Sequence, residues 1–255
     1  MTRHSPTLHV FVPAALVSMM ACGSPPEAPR ARTGGTEAVD RATAGSISGT
    51  VRFSGMVPAP DLLRMSADPA CVAAAGPSAA SDAVLVDDSG GLQNAFVWVK
   101  AGLDPKYGFP VPDTAVVLDQ SGCRYVPRVI GIRAGQVLEI LNSDDTLHNV
   151  HAMPNQNVEF NEGQPVRGMR LTRTFTIPEV MVRFTCNVHN WMTAHVGVVD
   201  HPFFDVTSAD GSFEIAGVPP GTYTVEVWHE RLGRLTQQVT VAPREQAAAS
   251  FTFSG

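Results

Sequence analysis

Cys186, His189 and Met192 share the short stretch Cys186-Asn187-Val188-His189-Asn190-Trp191-Met192, and His148 stands upstream in Asn142-Ser143-Asp144-Asp145-Thr146-Leu147-His148-Asn149-Val150-His151. One thiolate, two imidazoles and one thioether form a soft ligand set suited to a mononuclear copper ion. A Cys-x2-His pair alone is weak grounds for a metal. Covalently attached haem requires Cys-x-x-Cys-His, and its second cysteine is missing here. Zinc accepts cysteine and histidine, but a thioether is the wrong fourth ligand for it. The expected centre is therefore one copper ion with His148, Cys186, His189 and Met192 as ligands.

Such ligands need stiff elements beneath them. In Val180-Met181-Val182-Arg183-Phe184-Thr185-Cys186, alternation puts Val180, Val182, Phe184 and Cys186 on one face, so the cysteine points inward from the end of a core strand. Val129, Ile130 and Ile132, then Val137 to Leu141 after the Ala134-Gly135 turn, supply further strands, and residues 116–199 carry the strand count of a small sandwich. Gly, Pro and Asp punctuate short strands elsewhere, with a helical turn expected only around Asp61 to Ser66. His151 lies an odd number of residues from His148 and is expected on the opposite, solvent-facing side of its strand. Met153 and Met169 read as packing residues, and His195, His201 and His229 as locally hydrogen-bonded rather than a second metal site.

The spacing Cys-x2-His-x2-Met, with its first histidine in a His-Asn-Val-His string, resembles the amicyanin branch of the cupredoxins. That resemblance covers about residues 112–201 and includes the lead-in Tyr125-Val126-Pro127 with Ala134-Gly135. It implies a Greek-key β-sandwich, a type 1 copper site where two ligand loops meet at one end, and electron exchange through an exposed ring edge of His189. Trp191 and Met192 would border that edge. Asn190 departs from the pattern, since amicyanin-like loops usually carry proline there. Asn149 reads either as an outer residue tying the two ligand loops together or as an ordinary turn asparagine.

After His201 the pattern changes. Asp210-Gly211 is a hairpin signal, and Tyr223, Val225 and Val227 alternate as a strand. The tail resembles the second half of a carboxypeptidase regulatory-like (transthyretin-type) sandwich, and Ile47 to Phe53 and Leu92 to Val99 resemble the opening strands of such a domain. Because those strands precede the copper-type segment, the expectation is an all-β chain whose cupredoxin unit, 112–201, is inserted between sandwich halves 46–104 and 203–255. The alternative is a regulatory-like domain built from the tail alone, although that tail supplies few strands for independent stability.

Residues 1–21 read as an export signal, because Val10 to Met20 is apolar yet too short to span a bilayer. Ser18-Met19-Met20-Ala21-Cys22 resembles a bacterial lipobox, which implies a lipidated Cys22; a plain secretory signal is the alternative. Residues 22–45 lack apolar periodicity and read as a flexible tether spanning roughly 25 Å. With Cys22 lipidated and Cys186 on the metal, Cys71 and Cys123 remain to form a disulfide in an oxidising compartment; two separate buried thiols are the alternative.

The net charge of −6 and the lack of any basic run argue against a nucleic-acid partner. Hydrolase, phosphate-loop and dinucleotide motifs are all missing, so the expectation is not an enzyme. What remains is a one-electron carrier tethered at the periplasmic side of a bacterial membrane, or soluble in the periplasm. Its partner would be a redox protein such as a cytochrome c or a periplasmic dehydrogenase. The competing classes are a copper chaperone or storage protein, and a structural module with a stabilising copper site.

Overall fold

The computed structural model describes residues 1–2, 35–76 and 78–255. The lipobox with Cys22 and all but the first two residues of the export signal lie outside the described residues. In chain order the elements are β1 (Gly45–Ser54), α1 (Pro69–Ala75), β2 (Phe96–Ala101), β3 (Val116–Gln120), β4 (Tyr125–Val126), β5 (Val129–Arg133), β6 (Val137–Asn142), β7 (His148–Met153) and β8 (Phe160–Gln164). Then come β9 (Arg170–Thr174), β10 (Glu179–Thr185), β11 (Thr193–Val199), β12 (Phe204–Val206), β13 (Ser212–Val218), β14 (Gly221–His229), β15 (Gly233–Val241) and β16 (Gln246–Ser254). Among the described residues the structure is all-β apart from that one short helix.

Strands from the two ends of the chain form one sandwich. β1 runs antiparallel to β13 and parallel to β16, with Ile47 opposite both Ile215 and Ala247. The facing sheet has the order β12-β2-β14-β15. Strict alternation along β16 buries Ala247, Ala249, Phe251 and Phe253 and exposes the residues between them, as a sheet with one wet face requires. The resulting core is mainly apolar, with Ile47, Val97, Tyr223, Val225 and Phe251 among its members.

The middle of the chain forms a second sandwich from a five-stranded sheet, β5-β11-β10-β7-β8, and a four-stranded sheet, β4-β3-β6-β9. Leu118, Ile132, Leu138, Ile140, Val182, Phe184 and Val196 fill it. The two sandwiches meet at Phe96, Trp98, Val129 and Val199. Glycine is required on the inner side of that junction: a Cβ on Gly197 would come within 2.6 Å of the Phe96 ring, and one on Gly131 within 2.2 Å of Phe204. Arg128 adds ion pairs to Asp82 and Glu230.

Four sequence expectations need correction. Pairing of β10 with β11 shifts register between Glu179 and Val182, so Val180 leaves the face of Val182 and Phe184 and packs into the junction instead. Asp210-Gly211 turns the chain, but its flanking strands pair elsewhere, β12 with β2 and β13 with β1. It therefore links two sheets and is not a hairpin. The helix lies at Pro69–Ala75 and not near Asp61–Ser66, because Asp68 caps it by accepting from Ala70 N and Cys71 N while Pro69 occupies the first turn. Finally, the described end of the tether is docked: Glu37 bridges Tyr107, and Arg244 Nε donates to Ala42 O at 2.7 Å.

Candidate metal centre

β10 ends at Thr185 and delivers Cys186 to the end of the second sandwich, while β7 begins at His148 beside it. The loop between β10 and β11 closes tightly: Met192 N donates to His189 O at 2.9 Å and Cys186 N to Met192 O at 3.3 Å. Cys186 Sγ, His148 and His189 converge so that their ligand atoms lie within 4.8 Å of one another. His148 Nδ1 faces His189 Nδ1 at 3.0 Å, and Cys186 Sγ lies 3.9 Å from His189 Nδ1. Met192 belongs to the same buried core as Cys186. All four side chains are almost fully buried, at 0–2% exposure.

Burial opposes charge on Cys186. It is outweighed by the hydrogen bond to His148 and by backbone N–H groups of Asn149, His189 and Val188, which together hold the thiol below its ordinary range. His148 is likewise desolvated, yet Asp144 and the Cys186 sulfur raise it to about 9. His189 is pushed down, first by burial and then by the neighbouring His148 charge, against the pull of Asp68. Two imidazole Nδ1 atoms therefore face each other beside a thiol whose ionisation is eased. A metal ion at roughly 2.0–2.3 Å from nitrogen and sulfur donors holds those donors about 3–4 Å apart. The donor set and its spacing fit copper.

Asn149 joins the ligand loops. Its backbone N–H donates to Cys186 Sγ at 3.3 Å, and Asn187 N donates to Asn149 Oδ1 at 3.1 Å. His151 stays outside the donor cluster and pairs with Glu159 at 2.6 Å. His201 Nε2 donates to Val99 O at 2.8 Å, while His195 packs beside Trp228. Met169 is exposed.

The expected open ring edge of His189 is corrected by the structure. His189 Nε2 donates to Asp68 Oδ2 at 2.9 Å, and Cys71 Sγ sits 3.7 Å from the same nitrogen. Cys71 and Cys123 form a disulfide, which pins α1 across the end of the sandwich where a cupredoxin would expose its histidine. Trp191, partly exposed, borders the ring at 5.0 Å between centroids and donates through Nε1 to Cys123 O. On the other side His148 Nε2 donates to Asp144 Oδ2 at 2.8 Å. Neither aspartate stands out in the sequence by ligand type. Their only local signals are the Asp144-x3-His148 spacing and the Asp68-Pro69 start of a helix.

A family model described as polysaccharide lyase family 4, domain II, matches residues 184–249, across the end of one sandwich and most of the other. No curated protein matches the chain. Among solved structures, a copper(I) form of an amicyanin variant aligns at 21% identity over 34% of this chain and 85% of its own, with a TM-score of 0.31. A purple cupredoxin from Nitrosopumilus maritimus aligns at 20% identity over 34% of this chain and 99% of its own, with a TM-score of 0.29. The copper-containing nitrite reductase of Thermus scotoductus aligns at 22% identity over 40% of this chain but only 25% of its own, with a TM-score of 0.30.

Proposed function

We propose that this chain is an exported type 1 copper protein that carries one electron at a time. The observation that supports it most is the convergence of the Cys186 sulfur and two imidazole Nδ1 atoms, from two separate loops, at a buried end of the core to which Met192 also belongs. Copper in such a set shuttles between Cu(I) and Cu(II). Cys186, His148 and His189 would hold it, Met192 would supply a weak thioether donor, and Asn149 holds the Cys186 sulfur through its backbone N–H. Burial of all four donors leaves no open position for a substrate, which favours a carrier over an enzyme. With His189 capped by Asp68, the electron leaves by the neighbouring Trp191 ring.

In this reading residues 46–104 and 203–255 form a split sandwich of the regulatory-like kind around an inserted cupredoxin unit. Lipid on Cys22 tethers the protein at the periplasmic side of a membrane. Its acidic charge steers a basic redox partner such as a cytochrome c. The test is an optical and redox titration of the mature protein with copper, with Cys186→Ser as the control. An intense thiolate-to-copper band with reversible one-electron reduction, lost in the variant, is the expected result. The capped site also suits copper storage, and a colourless, redox-silent copper complex would favour that reading instead.

A further inference from the structure

Each imidazole turns its outer nitrogen toward an aspartate, and each aspartate is mounted on a half-cystine. Asp144 takes His148 Nε2–H at 2.8 Å while accepting backbone N–H groups of Gly122 and Cys123, both at 2.8 Å. Asp68 takes His189 Nε2–H at 2.9 Å while accepting from Ala70 N at 2.8 Å and Cys71 N at 3.2 Å. Thr146 Oγ1, on the loop before His148, donates to Asp68 Oδ2 at 3.0 Å. The Cys71–Cys123 disulfide then joins the two supports. The contacts close a ring: Asp144, His148, His189, Asp68, Cys71, Cys123 and back to Asp144.

A neutral imidazole carries its proton on one nitrogen or the other, and the partner of one nitrogen decides which is left to bind metal. A carboxylate at Nε2 keeps the proton there and leaves the Nδ1 lone pair facing inward. With the two Nδ1 atoms only 3.0 Å apart, a ring free to rotate or tautomerise would turn one nitrogen away. Both carboxylates are set by backbone N–H groups of the cystine segments, so their positions depend on the covalent link between those segments. We propose that Asp68 and Asp144 are paired positioning residues that hold both histidines in the Nδ1-binding form, and that the Cys71–Cys123 disulfide is the clasp that keeps the pair in register over the metal centre.

The inference rests on the copper reading for its ligand, but its first test needs no metal. In the metal-free full chain, long-range proton–nitrogen correlation spectra report the proton on each imidazole nitrogen. The expected result is Nε2–H on both His148 and His189. Asp68→Ala should leave His189 a mixture of tautomers with His148 unchanged, and Asp144→Ala should do the reverse. Asp68→Asn, whose amide oxygen accepts the same hydrogen bond, should restore the single form. In copper-loaded protein, release to a chelator should rise roughly 10–100-fold in either alanine variant and to a similar extent in the double variant Cys71→Ser, Cys123→Ser. Should that double variant fail to fold, the alanine variants still decide. Unchanged tautomers and unchanged release in both would overturn the proposal. Intact tautomer control in a protein that binds no copper would uphold the clamp and count against the electron carrier alone.

Discussion

The two sandwiches have the same layer design and opposite ends. The outer one is filled mainly by apolar side chains, as the alternation along β16 requires, and its buried polar contacts are few and local, such as Thr207 Oγ1 donating to Leu92 O and the Tyr223 hydroxyl to Pro219 O. The inner one carries a buried polar end, with Gln120, Asn142, Gln164, His148 and His189 all at 0–2% exposure. There an unpaired buried group costs about 1–3 kcal/mol, and most of these groups are paired, Gln120 Oε1 being an exception. Gln120 Nε2 donates to Gln164 Oε1, and Asn142 Nδ2 to Gln164 O and Thr146 O, so the network props the loop that carries His148. One sandwich is held mainly by apolar burial, whereas the other trades apolar area for a preorganised cluster of donors.

That contrast can be broken experimentally. Phe251→Ala in the outer core should lower stability by about 3–5 kcal/mol in chemical denaturation yet leave the copper absorption band unchanged; a shifted band would mean that the sandwiches are coupled. Copper should stabilise the folded chain by about 2.7 kcal/mol at a free concentration one hundred times its dissociation constant. Cys186→Ser should abolish that gain in thermal melts without lowering the metal-free baseline by a comparable amount.

The junction should respond to acid. Burial, aided by the charges of Arg128 and Arg183, pushes His195 down to about 3, and burial pushes His229 to about 4. The unfolded chain takes up these protons near pH 6.5 while the folded chain refuses them. Stability is therefore full above pH 6.5 and lost as pH falls toward those folded values, by about 1.4 kcal/mol per pH unit for each group. Urea denaturation at several pH values should show this slope, reduced in His195→Gln; a flat profile in the unsubstituted protein would contradict it. The smallest effect is expected beside the metal centre itself. Asp145 pairs with Arg167 at 2.9 Å in the open, both side chains being more than half exposed. Asp145→Ala should change stability by no more than about 0.5 kcal/mol and leave copper release alone, in contrast to its neighbour Asp144.

Much of this architecture is legible along the chain because it is local. Alternation in Val182, Phe184 and Cys186 gives the inward cysteine, and Ile47 to Phe53 reads as a strand before any partner is known. Val180 misleads because a register shift in pairing, not the pattern of its own strand, moves it into the junction. Asp210-Gly211 misleads because a turn signal states that the chain reverses and not which sheet receives it.

By itself the sequence determined the donor types, their order on two loops, and the strands beneath them, since side-chain chemistry and a period of two are properties of short segments. Only the tertiary structure decided that Asp68 and Cys71, far upstream, cover His189 and that Asp144 backs His148. Those contacts depend on long-range packing and on the Cys71–Cys123 link, and no local pattern encodes where a distant helix comes to rest.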